Sequence, residues 1–234
     1  MKLGIIGAMR VEVEALVEKL SGRTEQTIAW STYYEGKLEG LDVVVVQCGV
    51  GKVNAAMCVQ TLCSVYGVTH IVNTGIAGSL NAKLDIGDLV VSRDAMYHDF
   101  DCNAFGYPSG KVPGMDVIAF PADEMMIRLA YAAAEEVNPG HTTIGRVASG
   151  DQFVASKEKK DQIIALTEGL CTEMEGAAIA QAAYRNGVPF VILRAISDKA
   201  DDSADMDYPT FERIAAHRCA AVAQNLAKQL NQAK

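Results

Sequence analysis

The stretch Leu3-Gly-Ile-Ile-Gly-Ala-Met-Arg-Val-Glu-Val-Glu-Ala-Leu-Val-Glu-Lys-Leu20 changes its hydrophobic pattern once, just after Gly7. Leu3 to Gly7 is a short apolar run closed by glycine and reads as a buried strand. Beyond it Val13, Leu16, Val17 and Leu20 recur at helical spacing, so Val11 to Leu20 reads as a helix. The rest of the chain repeats this unit. Strand-like runs lie at Thr32–Leu38 and Asp42–Gln47, joined through Glu39-Gly40, then at Ile71–Thr74 ending at Gly75, at Leu89–Ser92, and at Pro189–Ile196. Helical patterns cover Gly51–Val65, about 123–137, 156–166 and 175–186, and Thr210–Leu230. Such alternation predicts one α/β domain, residues 1–234, with helices covering a buried sheet. The hairpin near 32–47 makes that sheet mixed.

Composition narrows the function classes. The 234 residues carry 21 Lys and Arg against 29 Asp and Glu, a formal charge of −8, and half are hydrophobic, enough for one large core. An acidic chain without a basic tract argues against nucleic-acid or anionic-membrane partners. No apolar run approaches the roughly 20 residues of a membrane span. The start, with Gly4 and Gly7 followed by Arg10, Glu12 and Glu14, lacks the features of a targeting signal, so a soluble cytoplasmic protein is expected. Six cysteines form no CxxC pair and only four histidines are scattered among them, which supports neither a zinc site nor a disulfide framework.

Strand ends of an α/β sheet are where ligands bind, and several carry chemistry. Gly7-Ala-Met-Arg-Val-Glu12 permits a tight strand-to-helix turn and sets Glu12 in a first helical turn, where a merely solvated glutamate is the plainer reading of that residue alone. Gly49-Val-Gly-Lys52 fails both the phosphate-loop and the dinucleotide patterns, leaving a ligand-side turn or a plain helix start. Asn73-Thr-Gly-Ile-Ala-Gly78 reads as a second glycine turn at a strand end. In Tyr97-His-Asp-Phe-Asp101 a structural His–Asp pair is the plainer reading. Ser149-Gly-Asp-Gln-Phe-Val154 offers Phe153 to a flat base or to the core. Cys171-Thr-Glu-Met-Glu-Gly176 holds two carboxylates two residues apart, which cannot share a helix face, so one can serve a site while the other does structural work. Asp198 ends the apolar run Phe190–Ile196, and desolvation there raises a carboxyl pKa, as a general acid requires. Two irregular stretches remain. Tyr97–Met115, rich in Gly and Pro and bearing Phe105 and Tyr107, is long enough to be functional, and acidic Lys199–Pro209 is a lid or loop candidate.

In this order the motifs GAMxxE, GVGKVNAA, NTGxAG, YHDFD…AFGYPxG…PG, SGDxFV, EMEGAAIA and RAISD resemble the 5′-methylthioadenosine/S-adenosylhomocysteine nucleosidases, of the purine nucleoside/uridine phosphorylase superfamily, over residues 3 to about 212. The resemblance implies a three-layer α/β/α domain with a central mixed sheet, usually a homodimer. It also implies hydrolysis of the N-glycosidic bond of methylthioadenosine and adenosylhomocysteine, in methionine salvage and recycling of S-adenosylmethionine by-products, without cofactor or metal. By position it makes Glu12 the residue that deprotonates the attacking water, with Arg194 as its partner in holding that water. Glu175 would grip the ribose hydroxyls, with Met174 and Met9 packed on the sugar. Asp198, supported by Ser197, would be the acid at adenine N6 and N7, and Phe153 would stack on adenine beside the Val154 backbone. Val50 and Tyr208 would line the alkylthio end, closed by Cys102, Phe105, Tyr107 and Pro113 of the partner subunit. The family often has Ser where Ile76 stands, which bears on water placement, and Cys102 and Tyr208 are milder departures in the lining.

Three rivals share parts of this reading. A phosphorylase would use phosphate, which Glu12 beside the nucleophile would repel. A futalosine-type nucleosidase shares the chemistry but differs in the 5′-group. A nucleoside-binding sensor would not need Glu12, Glu175 and Asp198 together.

Overall fold

The computed structural model describes residues 1–201 and 203–233, and for 205–207 the backbone course only. The first half of the chain runs β1 (Lys2–Gly7), α1 (Arg10–Glu18), β2 (Ser21–Ile28), β3 (Ser31–Leu38), β4 (Leu41–Gln47), α2 (Lys52–Ser64), β5 (His70–Ser79) and β6 (Leu89–Tyr97). The second runs β7 (Phe120–Pro121), α3 (Glu124–Val137), β8 (Thr142–Ser149), α4 (Lys157–Thr167), β9 (Cys171–Glu173), α5 (Gly176–Asn186), β10 (Phe190–Asp198) and α6 (Ala204–Gln232).

The strands pair into one mixed sheet in the order β10-β6-β8-β9-β5-β1-β4-β3-β2, and β10 also pairs with β5. That extra pairing closes β5, β9, β8, β6 and β10 into a ring, from which β1, β4, β3 and β2 extend as an open wing. Strands β1, β4, β5 and β10 run parallel to one another, and so do β6, β8 and β9. The β2–β3–β4 meander and the β6–β10 and β5–β9 pairs are antiparallel. The expected mixed sheet is therefore present.

Two apolar layers flank it. Val13 and Leu16 of α1, Met126 and Ala130 of α3, and Ala216, Ala223 and Leu226 of α6 pack on one face against Ile5, Val43, Val45 and Leu193. Cys58, Val59 and Leu62 of α2 with Ile179 and Ala183 of α5 cover the other, against Ile6, Val44, Val46 and Ile192. Full burial of each Val, Leu or Ile contributes about 1.5–3 kcal/mol. Small residues on α5 and α6 let those helices lie close to the strands.

The structure extends the sequence reading in several places. Strand β2 (Ser-Gly-Arg-Thr-Glu-Gln-Thr-Ile) is almost wholly exposed on the outer edge of the wing, so it has no apolar alternation to announce it. Its turn to β3 leaves Ala29 and Trp30 at positive φ, with Trp30 fully exposed. Strand β5 does not turn at Gly75 but runs on to Ser79. The acidic stretch from Lys199 is irregular only as far as Ser203, with Asp202 outside the described residues, because α6 already begins at Ala204 and carries Tyr208 and Pro209. Among the described residues no helix is long and apolar enough to cross a membrane.

Candidate active site

The carboxyl ends of β1, β4, β5, β8, β9 and β10 converge on one cleft, the place where α/β sheets hold ligands. Counting its open mouth, the cleft spans about 570 Å³. Its walls include Met9, Glu12, Val50, Ile76, Phe153, Val154, Met174, Glu175, Ser197, Asp198 and Tyr208, eleven of the residues singled out from the sequence.

Glu12 enters at the start of α1 and folds its carboxylate back over the turn after β1. Its Oε2 accepts from the main-chain N–H groups of Ala8 (2.7 Å) and Met9 (2.9 Å), and its Oε1 from that of Ile76 (3.1 Å). The side chain is buried. Burial raises its pKa, more than the Arg194 charge and those three N–H donors lower it. A buried carboxylate so poised suits a general base near neutral pH.

Beneath it the glycines of β5 clear space. A Cβ on Gly75 would collide with Arg194 Nη1 and lie 2.5 Å from Glu12 Oε1, and one on Gly78 would lie 2.7 Å from Asp198 Oδ1. The glycines of Asn73–Gly78 thus serve close approach by side chains and not a turn.

Arg194 stands in the middle of the otherwise apolar β10, 2% exposed. A buried guanidinium needs compensation, and it donates to Asn73 Oδ1 (2.5 Å) and to Glu173 Oε2. Burial works against its charge, but Glu173, Glu12 and Glu175 outweigh that and hold its pKa above the ordinary value. Arg194 lies behind the cleft wall and is not part of the lining.

The two carboxylates of Glu173-Met-Glu175 divide their work. Glu173 accepts from Ser149 Oγ, Arg194 and the N–H groups of Glu175 (3.1 Å) and Gly176 (2.7 Å), which fixes the β9-to-α5 turn. Glu175 accepts from the N–H of Gly51 (2.7 Å), and its Oε2 lies 4.0 Å from Arg194 Nη2. Gly51 can aim that N–H because its φ is +98°, a left-handed value that suits glycine. The turn before α2 thus faces the cleft. Burial, then the Glu173 charge, push the Glu175 carboxyl up to about 7.

Asp198 closes β10 with its carboxylate buried: Oδ2 accepts from Ser197 Oγ (2.8 Å) and Oδ1 from the Ala200 N–H (2.8 Å). Opposite, the loop after β8 presents Phe153, half exposed, edge-on to Tyr208 of α6 at 5.5 Å. The Tyr208 hydroxyl reaches Met9 Sδ (3.3 Å) and Glu212 Oε1 (3.1 Å). One apolar rim therefore joins three segments distant in sequence.

Cys102, Phe105, Tyr107 and Pro113 do not line the cleft of their own chain. They lie on the loop after β6, which holds one 3-10 turn at Asn103–Phe105, and Phe105 is 82% exposed. Sequence reasoning passed over Glu173 as a wall residue, and also Ala8, Ala77, Gly78, Gln152 and Thr172. The spacing of Glu173 and Glu175 was the available signal for the first; the others carry no chemistry in sequence. Among the described residues no group of three or more His, Cys, Asp and Glu is placed to hold a metal ion.

Comparison with known proteins places this geometry. The Phosphorylase superfamily matches residues 2–228. A 5′-methylthioadenosine/S-adenosylhomocysteine nucleosidase of Halalkalibacterium halodurans is 43% identical over 92% of this chain and 93% of its own. The crystal structure of such a nucleosidase from Colwellia psychrerythraea, in complex with adenine, superposes with a TM-score of 0.94 at 38% identity, covering 98% of this chain and 96% of that one. The futalosine hydrolase of Helicobacter pylori superposes with a TM-score of 0.93 at 32% identity, covering 98% of both chains. Match of this extent in sequence and fold shows that the chain belongs to the 5′-methylthioadenosine/S-adenosylhomocysteine nucleosidases of the phosphorylase superfamily.

Proposed function

We propose that residues 1–234 act as one domain of a cytoplasmic homodimer that hydrolyses the N-glycosidic bond of 5′-methylthioadenosine and S-adenosylhomocysteine. The observation that carries the reading is the pair of buried carboxylates, Glu12 and Asp198, on the walls of one cleft that also holds Glu175. Water attacks the anomeric carbon and passes a proton to Glu12, while the glycosidic electron pair leaves with adenine and Asp198 supplies a proton at N7. One acid and one base serving opposite partners of the bond follow the logic of inverting glycosidases. Positive charge builds on the sugar as the bond breaks, and Glu175 at the ribose hydroxyls stabilises it. Phe153 stacks on the base, and Met9, Met174 and Tyr208 pack along the sugar and its 5′-substituent. Arg194 lowers the cost of ionising Glu12 and Glu175 in a buried setting, partly offsetting their desolvation, which is its part in placing the water. Neither half-reaction calls for a metal or cofactor.

Two observations support assembly. Phe105 and Tyr107 project from a long loop without covering their own cleft. Val50, Val53 and Met57 form an exposed apolar stripe that starts at the cleft wall and continues along α2. A second copy would bury both and close the alkylthio end. The six free cysteines, four of them buried, fit a reducing compartment.

The test is release of the purine base, adenine from methylthioadenosine and adenosylhomocysteine and hypoxanthine from futalosine, each with and without inorganic phosphate. Hydrolysis predicts release independent of phosphate and free reducing sugar as co-product. A phosphate requirement with sugar 1-phosphate would make the protein a phosphorylase. Turnover of futalosine alone would move it to the futalosine hydrolases.

A further inference from the structure

Between the cleft and the loop after β6 lies a half-buried ion cluster that the reaction leaves unused. Lys52, the first residue of α2, sets Nζ 2.6 Å from Asp99 Oδ2 and 3.7 Å from Asp151 Oδ2. Its main-chain N–H donates to Asp151 Oδ1 (2.9 Å), and the Asp151 N–H donates to Asp99 Oδ2 (2.9 Å). Three segments therefore meet at one ammonium group. Lys52 directly follows Gly51, the donor to Glu175. Asp151 stands two residues before Phe153, and Asp99 opens the loop that leads to Phe105. The Lys52 and Asp99 side chains are 24% and 13% exposed, so water and salt screen their pairing less than a surface pair.

The loop of Asp151 needs such an anchor. From Gly150 to Val154 it has neither helix nor strand to hold it. Its approach to β6 is close: His98 is buried beside it, and a Cβ on Gly150 would lie 2.5 Å from His98 Nε2. The loop is thus pressed inward at Gly150 and held at Asp151, and Phe153 hangs from that fixed point.

We propose that Lys52, with Asp99 and Asp151, is a positioning latch that fixes the Phe153 loop relative to Glu175 and thereby sets affinity for the adenine half of the substrate. It rests on the reading of Phe153 as the base's stacking partner. Lys52 touches neither base nor sugar; it acts through the two elements that do.

The experiment measures adenine binding by titration calorimetry, with KM and kcat alongside, in the full-length protein. Lys52→Met should weaken adenine about tenfold and raise KM more than it lowers kcat, and Lys52→Arg should recover most of that loss. Asp99→Asn should act similarly, and the Lys52→Met/Asp99→Asn double variant should be no weaker than either single one, as members of one unit behave. Asp151→Ala removes an exposed partner without threatening the fold and should also weaken adenine severalfold. Unchanged adenine affinity in folded Lys52→Met or Asp151→Ala overturns the latch, as does an additive, about hundredfold, loss in the double variant. Phe153→Ala separates the two readings. If it weakens adenine while Lys52→Met does not, only the latch fails; if it leaves adenine untouched, the stacking assignment falls first and the latch with it.

Discussion

Replacing Glu175 with Gln should make the free protein more stable and less active, and the stability gain should grow with pH. Glu175 is 5% exposed and shares one guanidinium with Glu173 and Glu12. Burial, and then the Glu173 charge, lift its midpoint from the ordinary 4.5 to about 7. Between those values the native protein holds a proton that the unfolded chain has already lost, so native stability falls as pH rises through the interval and stays lower above it. The full effect is about 3 kcal/mol, of which about 2.5 falls between pH 5 and pH 8.5. Gln keeps an oxygen for the Gly51 N–H but carries no titration. Its amide hydrogens change stability by an amount that does not vary with pH, so the readout is the difference between the two pH values. Urea denaturation followed by circular dichroism at pH 5 and 8.5 measures it. Wild type should lose about 2–3 kcal/mol more than Glu175→Gln across that range. Parallel pH profiles for the two proteins would refute the charge argument. Loss of turnover in Glu175→Gln at both pH values would in either case leave the ribose assignment standing.

Glu12→Gln should bind substrate and lose hydrolysis by about 10²–10⁴-fold, since an amide cannot take the water's proton; near-normal single-turnover release of adenine would contradict the base assignment. Asp198→Asn keeps shape and a donor but has no proton to give, so it should lose kcat more than affinity. Its loss should shrink for a nucleoside whose base departs readily unprotonated; equal slowing of both substrates would make Asp198 a positioning residue. Phe105→Ala should raise KM more than it lowers kcat in a protein that sediments as a dimer, and a fully active monomer would end the shared-pocket reading. Gly75→Ala should fold yet lose activity at least as severely as Glu12→Gln, because its Cβ takes the space of Glu12 Oε1; retained kcat would show that the carboxylate can move without consequence.

What the sequence made legible were elements whose own residues declare a period. Strand β1, helix α1 and the apolar run of β10 are plain because one face or both are buried, and eleven of the residues named from the resemblance line one cleft. Strand β2 was not legible because an edge strand held by backbone hydrogen bonds to β3 needs no apolar face. The extension of β5 past Gly75 was hidden by the glycines themselves, which mimic a turn while serving the close approach of Arg194, Glu12 and Asp198. Arg194 beside Glu173, and Lys52 between Asp99 and Asp151, are pairings across strands and loops far apart in sequence. No local period reports such pairs.

Glu12 is held by three main-chain N–H groups, those of Ala8, Met9 and Ile76. Substituting a side chain does not delete a main-chain donor. The identities of residues 8, 9 and 76 can therefore drift over generations while the base keeps its seat. Met9 and Ile76 are also cleft-lining side chains, so the positions that anchor the chemistry are the ones free to change the shape of what is admitted. A lineage can reshape the cleft through them one mutation at a time without removing the main-chain donors that hold Glu12.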